Sequence, residues 1–158
     1  MTDDKTVTSS IYINLCLSIL EVLKEEIGLA RGVSTAEAIW RRFSSKVRPY
    51  LVDKLEISDN DIPAIAKLIK GYYSDILNFP NVEIMVKEDE GGNTMIQIRD
   101  CPIWKAIKEN RLPPLCHKAF CNGFVETIVR ELNPALIFEK GAEYRQGADR
   151  CEFHMKIF

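Results

Sequence analysis

The chain has 158 residues, of which 46% are hydrophobic and 28% charged, a composition typical of a globular domain and not of a disordered segment. Its formal net charge of -2, without a long basic run, gives no electrostatic reason to expect nucleic acid or a membrane surface as a partner. Polar first residues, and no apolar stretch near the ~18 residues of a membrane span, predict a cytoplasmic protein.

The first predicted helix begins at Ser9 or Ser10, where a hydroxyl can cap the helix, and ends at Gly28. Its apolar residues recur at three- and four-residue spacing, as expected for one buried stripe: Tyr12, Leu15, Cys16, Ile19, Leu23 and Ile27. Cys16 is therefore expected to be a core residue.

Two further helices are predicted before residue 79. The capping box Ser34–Glu37 predicts the start of the second, which Pro49 ends or bends. The polar cluster Ser58–Asp61 predicts the start of the third, with Pro63 in its first turn. Its buried side is expected to consist of Ile62, Ile65, Ala66, Ile69, Tyr73 and Ile76.

Beyond residue 79 the sequence alternates between apolar and polar residues, which is typical of strands. Runs on either side of the turn Glu88–Asn93 predict a β-hairpin. Cys101-Pro102 predicts a short helix and Pro113-Pro114 a longer one that stops at Asn133-Pro134. Two more strands are predicted over residues 135–140 and 151–158.

This order predicts a single α+β domain over residues 1–158, with N-terminal helices packed on an antiparallel sheet of about four strands. A helical half covers residues 1–79. The strand hairpin, the cysteine-bearing helix and the C-terminal strands cover residues 80–158.

Four of the five cysteines and one of the two histidines lie after Asp100. His117 and Cys121 are four residues apart on a predicted helix and therefore share one face. Cys151 has the strand parity of Phe153, so it should point toward the core that this helix covers. The sequence thus predicts that His117, Cys121 and Cys151 converge between helix and sheet.

Three interpretations of this cysteine group stay open. The cysteines can simply be thiols of the hydrophobic core. Alternatively, one of them is a reactive thiol. In the third interpretation the group binds zinc, and the candidate ligands are Cys101, Cys116, His117, Cys121 and Cys151. The candidates for catalysis are Cys116 and Cys121, with His117 as the base. Glu139 or Glu143 can complete a metal shell, although a solvated surface role is the default for both, and for His154.

An apolar ligand site is predicted beside this group. Its candidate lining residues are Trp104, Phe120, Gly123 and Phe124, because aromatic side chains and a helical glycine next to inward cysteines suit a small-molecule pocket. No phosphate-binding glycine loop accompanies them, so no nucleotide cofactor is expected.

The C-terminal part of the sequence resembles a known family. The motifs that carry the resemblance are Cys101-Pro102, Cys116-His117, Asn133-Pro134 and the ending Gly147-Ala-Asp-Arg-Cys-Glu-Phe153. It is similar to the vinyl-reductase-like, hydrocarbon-binding domains and their L-2-amino-thiazoline-4-carboxylic acid hydrolase-like branch. The resemblance implies a fold shared with TRAPP transport subunits and nitric-oxide sensors, a small and often apolar ligand, and prokaryotic stand-alone proteins. It also implies zinc on C-terminal cysteines and, in some members, a homodimer.

The chain departs from the zinc-bearing members of this family, because Ala142 or a neighbour stands where they have a further cysteine. That difference favours the hydrolase branch. The sequence therefore predicts a small-molecule-binding or regulatory protein with a candidate structural zinc site. The alternatives are a thiol-dependent hydrolase of the aminothiazoline-carboxylate type and a dimeric interaction module.

Overall fold

The computed structural model describes residues 4–88 and 93–156, without the side chains of residues 4–12 and 145. Its long helices α1 (Asp4–Ile27) and α2 (Leu29–Lys54) form a hairpin around Gly28. Helix α3 (Ile62–Gly71) follows and continues into a π-helical segment, Tyr72–Ile76. These elements make up the N-terminal, helical part of the fold.

The second part of the chain alternates strands and helices. Its strands are β1 (Glu83–Glu88), β2 (Thr94–Arg99), β3 (Ile137–Lys140) and β4 (Cys151–Lys156). Its helices are α4 (Pro102–Glu109), α5 (Cys116–Phe120) and α6 (Thr127–Leu132), and a second π-helical segment, Cys121–Glu126, joins the last two. A short 3-10 turn, Tyr144–Gln146, lies before β4.

The four strands form one antiparallel sheet in the order β1-β2-β4-β3. Strands β2 and β4 are the two inner strands, and their pairing sets Cys151 opposite Ile98 and Phe153 opposite Ile96. All four of these side chains are buried. The predicted α+β class and the antiparallel four-stranded sheet are confirmed.

Several predicted element boundaries are confirmed. Asp61 caps α3 by accepting the N–H of Ala64 at 2.9 Å, with Pro63 in the first turn. Gly28 has φ +81°, a conformation that glycine adopts without strain, and ends α1 as predicted. Strands β1 and β2 pair from Glu83 with Arg99 to Glu88 with Thr94, although residues 89–92 of the predicted turn lie outside the described residues.

The predicted starts of the first two helices are wrong. Ser9 and Ser10 lie inside α1, and the capping box Ser34–Glu37 lies inside α2, which begins immediately after Gly28. Pro49 does not end α2. A capping sequence can sit within a helix when packing against neighbours stabilises the continuous helix.

The apolar stripe predicted for α1 is partly wrong as well. Leu15 is 57% exposed, and Ile27 is also exposed, whereas the side chains facing the core are Ile13, Cys16, Leu17 and Leu20. The side chain of Tyr12 lies outside the described residues. Cys16 is buried as predicted, and burial raises the pKa of its thiol to about 12.

We expect the free energy of unfolding to fall in alkali because of Cys16. The ordinary thiol pKa is 9.0 and burial raises it to about 12 in the folded protein, so the unfolded chain releases a proton that the folded state keeps. This contribution is complete below pH 9.0 and is lost at up to about 1.4 kcal/mol per pH unit as the pH rises toward 12. Urea unfolding at several pH values checks it, since Cys16→Val should flatten the dependence and an unchanged slope would contradict the assignment.

Candidate functional site

A buried group of sulfur and nitrogen atoms lies between the second π-helical segment and the sheet. His117 from α5, Cys121 at the start of that segment and Cys151 at the start of β4 each contribute one atom, all within 4.8 Å of one another. All three residues are buried. The convergence predicted from helix and strand periodicity is found, and the group can hold a metal ion.

The cysteine sulfurs of this group surround the His117 ring. The Cys121 Sγ lies 3.5 Å from His117 Nδ1 and 3.6 Å from Nε2, and Cys101 Sγ lies 3.8 Å from Nε2. Interaction with the Cys121 thiol lowers the pKa of Cys151, and the same contact raises that of Cys121. Cys101 borders His117 but lies outside the set of mutually close donors.

Cys116 does not join this group. Its thiol is fully buried, and the charged groups that act on it, Lys24 and Glu21, belong to α1. Neighbouring helical residues point about 100° apart, so Cys116 and His117 face different parts of the core.

Cys101 sits in a strained turn between a strand and a helix. The strand β2 ends at Arg99, Asp100 has φ +52°, and α4 begins at Pro102 directly after Cys101. A non-glycine residue at positive φ is strained, and such strain concentrates at functional sites. The turn places the sulfur at the amino end of α4.

Burial is the largest influence on the pKa of the Cys101 thiol and raises it to about 11. The backbone N–H groups of Trp104 and Ile103 act in the opposite direction, as expected at a helix amino end. The Tyr73 hydroxyl lies 3.9 Å from the same sulfur. The resting thiol is therefore neutral at pH 7 but lies among groups that favour its thiolate.

Two aromatic rings enclose His117 next to Cys101. Trp104 meets the imidazole edge-on at 5.5 Å and stacks on Tyr144 at 5.9 Å, and Tyr144 meets the imidazole edge-on at 6.1 Å. Burial raises the pKa of Tyr144 to about 12, opposed by the N–H groups of Cys101 and Asp100 near its oxygen. Tyr144 thus supports both the imidazole and the strained turn.

A cleft of about 960 Å³ reaches this turn from outside. Cys101, Trp104 and Tyr144 lie on its wall, whereas His117, Cys121 and Cys151 do not. Five charged side chains share the wall, namely Asp100, Lys105, Lys108, Glu109 and Asp149. The volume is within the range of small-molecule sites, and Cys101 is the thiol among the described residues that borders it.

The other residues predicted to line a ligand site lie elsewhere. Phe120 in α5 and Phe124 in the second π-helical segment pack on Trp40, with ring centroids 5.5 and 5.1 Å away, so both belong to the core against α2. A Cβ atom on Gly123 would lie 2.5 Å from Trp40 Cβ. Gly123 is therefore needed for close helix packing, and Trp104 is the predicted lining residue that borders the cleft.

The two glutamates considered as metal ligands differ in position. Glu139 is exposed, as predicted. Glu143 is only 4% exposed, and its charge acts on Cys151, so the surface role predicted for it is wrong. His154 is half-buried and packs against Gly141, so it is less solvated than predicted.

The sequence did not point to Asp100, Tyr144 or the role of Tyr73. Tyr73 was predicted only as part of the buried side of α3. Within the described residues, two π-helical segments occur, and each carries a residue of this site, Tyr73 or Cys121. Such segments are frequent at functional sites, and the sequence periodicity predicted ordinary α-helix at both positions.

Within residues 4–88 and 93–156, no helix combines the length and apolar character needed to cross a membrane.

Comparison with known proteins identifies the fold and the family. The structure is similar to trafficking protein particle complex subunit 3 from Naegleria fowleri, solved covalently bound to palmitic acid, with a TM-score of 0.57 at 14% identity. The similarity covers 97% of this chain and 96% of that one. No curated protein matches the sequence. Residues 9–155 match the L-2-amino-thiazoline-4-carboxylic acid hydrolase family, and the chain therefore belongs to that family.

Proposed function

We propose that this protein is a thiol-dependent hydrolase of a small, polar heterocycle, with Cys101 as nucleophile and His117 as its base. Family membership and fold support a domain that binds a small ligand. The observation that carries the proposal is that Cys101 lies both on the wall of the cleft and 3.8 Å from His117 Nε2. Nucleophile and base within hydrogen-bond reach are the signature of thiol catalysis.

Cys101 is preferred to Cys151 as the nucleophile because it borders the cleft, although both residues are buried, at 4% and 2% exposure. The pKa of Cys151 is the lower one, because of its contact with Cys121, but Cys151 does not border the cleft. A nucleophile must first reach the substrate, and its pKa matters only after that. The raised pKa of Cys101 means that His117 has to accept its proton during the reaction.

The family name describes a substrate whose ring carbon C2 bonds one sulfur and two nitrogens. In the first step, His117 takes the Cys101 proton, the thiolate adds to C2, and the C2–S bond breaks as the ring sulfur receives that proton. In the second step, His117 takes a proton from water, the oxygen adds to C2, and the Cys101 thiolate leaves and is reprotonated. The sum is the addition of one water molecule, giving an open-chain urea with a free thiol.

The charges on the cleft wall suit such a substrate. Lys105 and Lys108 lie on α4 and can attract a carboxylate, while Asp100 and Asp149 can attract a protonated amidine-like group. The five charged side chains on the wall can bind the polar groups of such a substrate, whereas the sequence predicted an apolar ligand.

The test is incubation of the purified protein with L-2-amino-thiazoline-4-carboxylate, followed by chromatography and mass spectrometry. The proposal predicts a product heavier by one water molecule and bearing a free thiol. Substrate that remains closed, with folded protein at high concentration, would rule out this function.

A second candidate function is zinc binding by the same buried group, which the donor set favours. A tetrahedral zinc with thiolate and imidazole ligands sets neighbouring donors about 3.5–3.8 Å apart. His117 can offer one ring nitrogen to an ion, and either nitrogen lies at this spacing from Cys121 Sγ, at 3.5 Å for Nδ1 or 3.6 Å for Nε2. Cys151 would supply a third ligand, and Cys101 or Glu143 would supply a fourth. A zinc-bound His117 could not serve Cys101 as base, so the two functions exclude each other at this residue.

Elemental analysis of protein purified without chelators checks the zinc candidate. If zinc is bound here, about one ion per chain is expected, because three buried ligands already converge. Cys121→Ser should lose the ion and Cys16→Val should keep it. Protein free of metal, or zinc retained by Cys121→Ser, would eliminate this candidate.

A further inference from the structure

Tyr73 belongs to the N-terminal, helical part of the fold and lies close to Cys101. It lies in the first π-helical segment, is buried, and has its hydroxyl 3.9 Å from Cys101 Sγ. A buried phenol normally needs a hydrogen-bond partner, and here the nearby acceptor is the sulfur.

We propose that Tyr73 is a positioning residue of this site, whose hydroxyl donates a hydrogen bond to the Cys101 sulfur when that sulfur is a thiolate. The proposal rests on the assignment of Cys101 as the nucleophile. It gives the first π-helical segment a role, since that segment holds the phenol against the strained turn at Asp100.

The direction of this hydrogen bond follows from the chemistry of the two groups. A phenol is protonated at neutral pH and can donate, whereas a thiolate carries no proton and can only accept. The hydroxyl approaches the sulfur together with the Trp104 and Ile103 N–H groups. Donors directed at a developing charge stabilise it most when water is excluded, and Cys101 is buried. The hydrogen bond therefore stabilises the Cys101 thiolate twice, when it attacks the substrate carbon and when it leaves that carbon.

Tyr72 provides a matched control in the same segment. It is buried like Tyr73, but its ring packs on Phe124 at 4.6 Å, and its hydroxyl has no hydrogen-bond partner among the described residues. Replacing either tyrosine by phenylalanine removes one buried oxygen and keeps the ring. Only the change at Tyr73 removes a donor from the Cys101 sulfur.

The experiment compares Tyr73→Phe with Tyr72→Phe in the full-length protein. For Tyr73→Phe we expect kcat to fall about tenfold or more with KM nearly unchanged, because the hydroxyl supports the thiolate and does not line the cleft. Alkylation of Cys101 by iodoacetamide, followed by peptide mass spectrometry at one fixed pH, should slow by a similar factor. Tyr72→Phe should match the wild type in both measurements.

Equal alkylation rates at Cys101 in the two variants would overturn the role of Tyr73, whatever the activity. The alkylation comparison needs no substrate, so it still decides the question if the wild type proves not to hydrolyse the heterocycle. A hydrolytically active wild type with identical variants would leave the proposed function standing and remove Tyr73 alone.

Discussion

Cys101→Ser should lower kcat for ring opening by at least about 10³-fold. A serine hydroxyl is a far weaker nucleophile than a thiol, and the 3.8 Å between Cys101 Sγ and His117 Nε2 is longer than a hydroxyl hydrogen bond. The substitution keeps a small polar group at the start of α4, so the strained turn at Asp100 should persist. Steady-state kinetics, together with the thermal unfolding midpoint, measure the effect.

Cys16→Val is the matched control, because it removes another buried thiol, which lies on α1 and faces the core. It should retain wild-type kcat. Activity in Cys101→Ser within a few-fold of the wild type would show that this thiol is not the nucleophile.

His117→Gln should lower kcat by roughly 10²–10⁴-fold, the usual contribution of a general base. Glutamine can still form a hydrogen bond to the neighbouring sulfurs, but it cannot carry the proton of Cys101. The imidazole is buried between Trp104 and Tyr144, so the variant must also be checked for folding by near-ultraviolet circular dichroism.

The chain's other histidine supplies the control for this experiment. His154 lies on β4 against Gly141, away from the cleft wall, and His154→Gln should leave kcat unchanged. Equal kinetics for His117→Gln and the wild type would exclude His117 as the base.

Much of the fold could be predicted because local signals and packing agree. The Asp61 cap with Pro63 defines α3, and the apolar alternation on either side of the predicted turn Glu88–Asn93 indicates the paired strands β1 and β2. The capping box at Ser34 predicted the start of α2 wrongly, because α2 begins directly after Gly28, the single residue that separates it from α1. Leu15 was wrongly predicted to be buried, because several apolar stripes fit one helix and only tertiary contacts select the stripe that is buried.

The candidate site could be predicted only where it depends on periodicity. Helical spacing and strand parity place His117, Cys121 and Cys151 together, as found. The nucleophile assigned from the structure, Cys101, was predicted only as a metal ligand, because its access depends on a cleft formed by distant segments. The positive φ of Asp100 and the approach of Tyr144 depend likewise on tertiary contacts that residue types do not encode.

Trapping the covalent intermediate tests the assignment of Cys101 as the nucleophile most directly. Protein mixed with L-2-amino-thiazoline-4-carboxylate and quenched in acid should carry one substrate mass, and peptide mapping should locate it on Cys101. The adduct should be absent from Cys101→Ser. An adduct on Cys116, Cys121 or Cys151, or turnover by Cys101→Ser, would show that Cys101 is not the nucleophile.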